Sequence, residues 1–318
     1  ASAPVSSAAP TPSAVPTADL ASARLPGTDA TIYEHASDPI RLTQYSVKDA
    51  KTKDWTDYPR ASLTGTFTKS TKLQGVLSPD GRFLAERPLG WTGGYDAVII
   101  TDKVSGESFT VKTSRKPLGS YIEMWSRDSR KILLDMGNSD NKEKVWQSSG
   151  FIVVDVTTRE AKLVSLRESS LRSGNYGFDG TGDAVVIADS DAKNQRLRFF
   201  DDSGARVRVI PNIGGAIASE MFSPSGQQFA TTCPGLDAGT ACVYDAQSGA
   251  ERARFESKCN GNPWWFDETH LTCWVRPDSG GDRQQIQVLD FNGKMVRLLA
   301  DIPTNGENIS VTYTYTRK

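Results

Sequence analysis

Short apolar runs that end in an aspartate and a polar turn recur six times along the chain: QYSVKD, VIITD, FIVVD, LRFFD, CVYD and QVLD. Their aspartates, Asp49, Asp102, Asp155, Asp201, Asp245 and Asp290, are spaced by 53, 53, 46, 44 and 45 residues. β-branched and aromatic residues bounded by turn formers predict strands. A second motif keeps the same period. It reads Leu77-Ser78-Pro79-Asp80-Gly81, Trp125-Ser126-Arg127-Asp128-Ser129, Phe178-Asp179-Gly180-Thr181-Gly182, Phe222-Ser223-Pro224-Ser225-Gly226 and Phe266-Asp267-Glu268-Thr269. Each copy sets a large apolar residue before a turn in which Pro presets φ, Asp or Ser bonds back to the backbone and Gly takes the left-handed position. A new apolar run follows each turn (FLAE, KILLD, AVVIAD, QFATT, HLTCWV), so the turn joins two strands of a hairpin.

One unit therefore contains four strands, predicted at 74–78, 83–87, 97–102 and 108–113 in the first complete copy, with the first strand innermost. A small sheet of this kind cannot bury both faces alone and stacks on the next, so the period predicts an all-β, six-bladed β-propeller; a seventh, degenerate blade is the alternative. Six aspartate turns against five hairpin turns leave the unit around residues 40–58 without its first half. The C-terminal segment 308–316, NISVTYTYT, alternates with period two and is predicted to pair with that unit, closing the ring and removing sheet edges.

The Ser-Pro-Asp-Gly turns at Ser78 and Ser223, with apolar-Asp strands downstream, resemble the TolB-type and WD40-like (PD40-like) propeller repeats of bacterial envelope proteins over about residues 30–318. The resemblance implies a secreted or periplasmic scaffold that binds other proteins, sometimes with a peptide entering the central channel. Nothing in this sequence reads as the N-terminal α/β domain that TolB carries.

Composition refines this picture. Residues 1–28 are almost wholly Ala, Pro, Ser and Thr and predict a disordered linker ahead of a single propeller domain at 29–318, the kind of segment that follows a removed signal peptide or an anchor. The absence of a Cys at position 1 argues against a lipoprotein terminus. With 37 basic and 38 acidic residues the net charge is −1, which provides no field for nucleic acid. No apolar run reaches the roughly 18 residues of a membrane span, so no membrane insertion is expected, and a monomer is expected.

Four cysteines allow three pairings. Cys233 and Cys242 flank a predicted hairpin loop, while Cys259 enters the next blade and Cys273 lies in its second strand, which selects 233–242 and 259–273. Zinc is the competing reading, but the spacings of 9, 17 and 14 include no Cys-x-x-Cys. Disulfides imply an oxidising, extracytoplasmic location. With two histidines, His35 and His270, and no Gly-x-Ser-x-Gly, the chain offers neither a serine-hydrolase constellation nor a multi-histidine metal site, and no cofactor or catalytic residue is assigned. The repeat aspartates are assigned to turns, and a calcium site at 189–194 lacks the Gly and final Glu of an EF-hand-like loop.

Binding residues are expected where the repeats differ. The loops joining strands two and three, and those joining blades, open on one rim, which should carry Arg87, Trp91, Tyr95, Arg115, Trp146, Arg172, Trp264, Trp265 and Arg276. Trp, Tyr and Arg dominate binding energy at protein interfaces. Glu123 and Glu220 stand two residues before their anchors, at equivalent points of innermost strands two blades apart. A protein- or peptide-binding scaffold is the leading expectation. The alternatives are a channel-mouth enzyme of lyase or glycosidase type, using Glu123, Glu220, Arg87 and Arg276 with Tyr176 as a proton source, and an extracytoplasmic sensor domain.

Overall fold

The computed structural model describes residues 14–49, 51–139, 145–166, 174–189, 195–235, 239–277, 283–303 and 308–316. Among them the chain forms six sheets arranged as a six-bladed propeller. An N-terminal hairpin, β1 (Ala21–Arg24) and β2 (Thr31–Glu34), precedes blade one with β3 (Ile40–Lys48) and β4 (Trp55–Pro59). Blade two holds β5 (Leu73–Leu77), β6 (Phe83–Arg87), β7 (Tyr95–Asp102) and β8 (Ser108–Arg115). Blade three holds β9 (Gly119–Trp125), β10 (Lys131–Ser139), β11 (Trp146–Asp155) and β12 (Glu160–Ser165). Blade four holds β13 (Tyr176–Phe178), β14 (Val185–Ala188), β15 (Arg196–Phe200) and β16 (Arg206–Pro211). Blade five holds β17 (Gln228–Thr232), β18 (Thr240–Asp245) and β19 (Glu251–Glu256), with Phe222 bridged to Phe229 on its inner side. Blade six holds β20 (Trp264–Trp265), β21 (His270–Val275), β22 (Arg283–Asp290) and β23 (Met295–Pro303). The final strand β24 (Asn308–Tyr315) returns to blade one.

The core lies between blades. Val98 and Ile100 of blade two pack with Ile122, Trp125 and Leu134 of blade three, and Leu133 and Phe151 pack with Tyr176 and Ile187 of blade four. Inner-strand tryptophans also tie neighbouring blades through their indoles: Nε1 of the motif anchor Trp125 donates to Val76 O at 2.9 Å, and Nε1 of Trp265, one residue before the anchor Phe266, donates to Met221 O at 2.6 Å. In the hairpin turns, Gly81, Gly182 and Gly226 have φ of 72°, 79° and 73°; Ser129 occupies the equivalent position at 63°, where glycine would be unstrained.

All six repeat aspartates fold back on their own turns. Asp102 Oδ1, for example, accepts from the N–H groups of Val104 (2.8 Å) and Ser105 (3.3 Å), and Asp49, Asp155, Asp201, Asp245 and Asp290 do the same.

Ring closure has two parts. β24 pairs antiparallel with β3, Val311 opposite Tyr45, so blade one is completed by the C-terminus as the alternation predicted. The second part corrects the linker boundary at residue 28, because β1 and β2 form a hairpin whose β2 joins the outer edge of blade six through β23. The β1 side chains, Ala21, Ser22, Ala23 and Arg24, are small or polar and all exposed, so backbone pairing, which composition does not reveal, creates this strand. Residues 1–13 of the expected linker lie outside the described residues. The seam is locked by a buried ion pair, Arg297 to both Asp38 oxygens at 2.5 and 2.7 Å, and by Arg60 bidentate on Glu34 at 2.8 Å.

Both cysteine pairs form as expected, Cys233–Cys242 and Cys259–Cys273.

Candidate functional site

The innermost strands enclose a central channel cavity of about 100 Å³ with walls from all six blades, among them Ile40 and Tyr313, Val76, Glu123, Phe178, Glu220 and Trp264. Its floor is the mouth that carries the hairpin turns. There Arg127 crosses from blade three to donate to Phe222 O (3.1 Å) and Pro224 O of blade five and to Gly180 O (3.4 Å) of blade four. Gly180 and Gly226 touch across this floor: a Cβ on Gly180 would lie 2.1 Å from the Gly226 Cα. The opposite mouth carries the loops between strands two and three.

Glu123 and Glu220 both face this cavity. Both side chains are half-buried in the channel wall and crowded by protein, so the charged form loses hydration without gaining a partner. Burial, helped by Asp135 and Glu220, pushes Glu123 up to about 8; burial alone pushes Glu220 up to about 7.

Behind Glu123 lies a buried polar cluster. Asp135 accepts from Trp146 Nε1 at 2.7 Å and from Ser148 Oγ at 2.5 Å, and Ser148 Oγ is 2.8 Å from the Tyr176 hydroxyl. Burial raises Asp135 against the pull of these hydrogen bonds. Above it, Trp146 meets the Tyr121 ring edge-on at 4.5 Å, and the Arg87 guanidinium stacks on the same ring at 4.8 Å. Arg87 is held in turn by Asp96 (3.5 Å), which accepts from Ser120 Oγ at 2.7 Å. The chain of contacts continues outward. Trp91 Nε1 donates to Leu118 O at 2.9 Å beneath the Lys116 ammonium, and Tyr95 is flanked by Lys112 and Arg115. Tyr95, Trp91, Arg87, Tyr121 and Trp146 thus form one cationic and aromatic strip over blades two and three.

Neither a protein-family model nor a curated protein matches the sequence. Solved structures do resemble the fold. TolB from Acinetobacter baumannii superposes with a TM-score of 0.55 at 16% identity, over 90% of this chain and 68% of that one. The chain has a TolB-like propeller fold. An oligogalacturonate lyase in complex with manganese gives 0.52 at 13% identity over 87% and 83% of the two chains, and an uncharacterized protein from Listeria monocytogenes EGD-e gives 0.50 at 12% over 93% and 84%.

Within this TolB-like propeller the predicted site residues separate into groups. Arg87, Trp91, Tyr95 and Trp146 share the strip, and Glu123 and Glu220 share the channel. Trp264 and Trp265 are not rim residues. They form the inner strand of blade six, 9% and 0% exposed, with Trp264 in the channel wall, because the innermost strand there starts directly after Pro263. Tyr176 is fully buried between blades with its hydroxyl 2.8 Å from Ser148 Oγ, and burial raises its pKa. Arg276 is exposed at the end of β21 in blade six, away from the strip in the blade order. Arg172 and residues 190–194 of the calcium candidate lie outside the described residues, while Asp189 is engaged by Arg196 and Arg198. His270 bonds Asp267 at 2.9 Å and His35 bonds Ser37 at 2.7 Å, both local contacts.

Tyr121, Asp135, Ser148 and Arg127 went unpredicted in these roles. Asp135 had a signal, a carboxylate in the middle of the apolar run KILLDM. Tyr121 had a weaker one, two residues before Glu123 on the same strand.

Proposed function

We propose that this protein is an extracytoplasmic scaffold that binds a protein or peptide segment through the strip over blades two and three, beside the open mouth of its channel. The observation that carries this reading is the exposure of apolar and aromatic surface there: Trp91 is 45% and Tyr121 41% exposed, with Leu89 and Val145 exposed on neighbouring loop positions. Such a patch, rimmed by Lys112, Arg115 and Lys116, has the composition of an interface core with a charged rim. The two disulfides support an oxidising compartment.

Panning the immobilised protein against random phage-displayed peptides tests this. Selected peptides should lose binding to Trp91→Ala and Tyr121→Ala and retain it with Val104→Ala, an exposed residue of the opposite, turn-bearing face. Peptides indifferent to the first two substitutions would overturn the assignment.

A further inference from the structure

The channel contains a feature that the rim reading leaves unused. Glu123 and Glu220 project into one cavity, and neither carboxyl group makes a hydrogen bond or ion pair among the described residues. The other charged side chains of the wall are already engaged. Arg127 is spent on the carbonyls of Gly180, Phe222 and Pro224, and Asp179 accepts from Thr181 Oγ1 and the Gly182 and Asp183 N–H groups. The remaining surface is largely aromatic: Trp125, Phe178, Phe222, Trp264 and Tyr313. An unpaired carboxylate in such a place is destabilising, whereas a cation between two carboxylates and against ring faces gains from both.

We infer that this cavity binds a primary alkylammonium group, from a free amine or a lysine side chain, between Glu123 and Glu220. Two carboxylates, with only the hydroxyls of Ser219, Thr312 and Thr314 beside them and Asp179 already engaged, suit an ammonium, with three donors, better than a divalent metal, which takes six or more oxygens. The walls also fit its alkyl stem. Because burial holds both carboxyls protonated below neutrality, the incoming cation displaces protons. The groups facing the pair are Asp135 and Tyr176 behind Glu123, Arg127 and Asp179 at the floor, and Tyr313 of β24.

The inference is independent of the strip and is tested separately from it. Calorimetric titration with n-butylammonium chloride at pH 8 should show one saturable site. Glu123→Gln should weaken it about tenfold or more, and Glu123→Gln/Glu220→Gln should abolish it. Trp91→Ala should leave it unchanged. Repeating the titration near pH 6.5 in buffers of different ionisation enthalpy should show proton release. A tripeptide with a central lysine, compared with its norleucine analogue, identifies the source: tight binding of the lysine peptide assigns a side chain, and binding of n-butylammonium alone assigns a free amine, each supporting the ammonium site. No saturation by about 50 mM n-butylammonium, an affinity unchanged in the folded double variant, or saturation by Ca²⁺ in preference to the amine would each overturn it.

Discussion

Replacing Glu123 with glutamine should make the protein more stable in alkali and leave it nearly unchanged in weak acid. The wild-type carboxyl moves from 4.5 in water to about 8 in the channel, so the folded state keeps its proton where the unfolded chain has lost it. A raised carboxyl favours the fold below about pH 4.5, and that contribution drains away as pH rises to about 8. At about 1.36 kcal/mol per pH unit, the whole window corresponds to at most about 5 kcal/mol. Water reaching the carboxyl through the channel reduces this to about 2 kcal/mol, the scale of partly solvated interiors. Guanidinium denaturation followed by tryptophan fluorescence at pH 5 and pH 9 reads the difference. Groups that titrate equally in both proteins cancel when the two are compared at each pH. Glu123→Gln should match wild type at pH 5 and exceed it by about 2 kcal/mol at pH 9, with Glu220→Gln, raised only to about 7, giving a smaller gain. Parallel stability profiles for wild type and Glu123→Gln would show that the channel does not desolvate this group, and the reasoning would fail.

Three further outcomes follow from the scaffold. Asp38→Ala leaves the buried Arg297 guanidinium without its carboxylate and should destabilise by about 3 to 5 kcal/mol, seen as a lower melting temperature. Cys233→Ser/Cys242→Ser should lose roughly 2 to 3 kcal/mol, and adding reductant should then weaken the variant only through the Cys259–Cys273 bond. Asp245→Ala removes acceptors for the Gln247 and Ser248 N–H groups and should cost about 1 kcal/mol near neutrality. Those bonds and Arg252 outweigh partial burial and hold Asp245 near about 2, so this difference should persist above pH 4 and vanish as acid titrates it toward pH 2.

Much of the architecture was legible because it repeats. The aspartate and hairpin turns are local chemistry, read directly from residues such as Asp102 and Gly81, and their count exposed the incomplete blade that β24 fills. Equivalent positions also brought Glu123 and Glu220 to one channel, although Glu220 stands in a turn ahead of Phe222 rather than on the inner strand expected for blade five, and short loops fixed both disulfides. What escaped depends on contacts between distant residues. β1 is a strand only because β2 lies beside it. Trp264 and Trp265 look like rim residues until the two-residue inner strand of blade six places them in the wall. The Asp135, Ser148 and Tyr176 cluster joins three strands from two blades, a proximity that no spacing along the chain expresses.

Closure by β24 also sets a schedule for synthesis. Tyr45 finds its partner Val311 only after 266 more residues have been made. At about 5 to 20 residues per second that interval is on the order of 13 to 53 seconds, during which β3 presents an unpaired edge to every other nascent chain. A chain of this design should depend on a holding chaperone, or on delayed folding, until its last residues emerge.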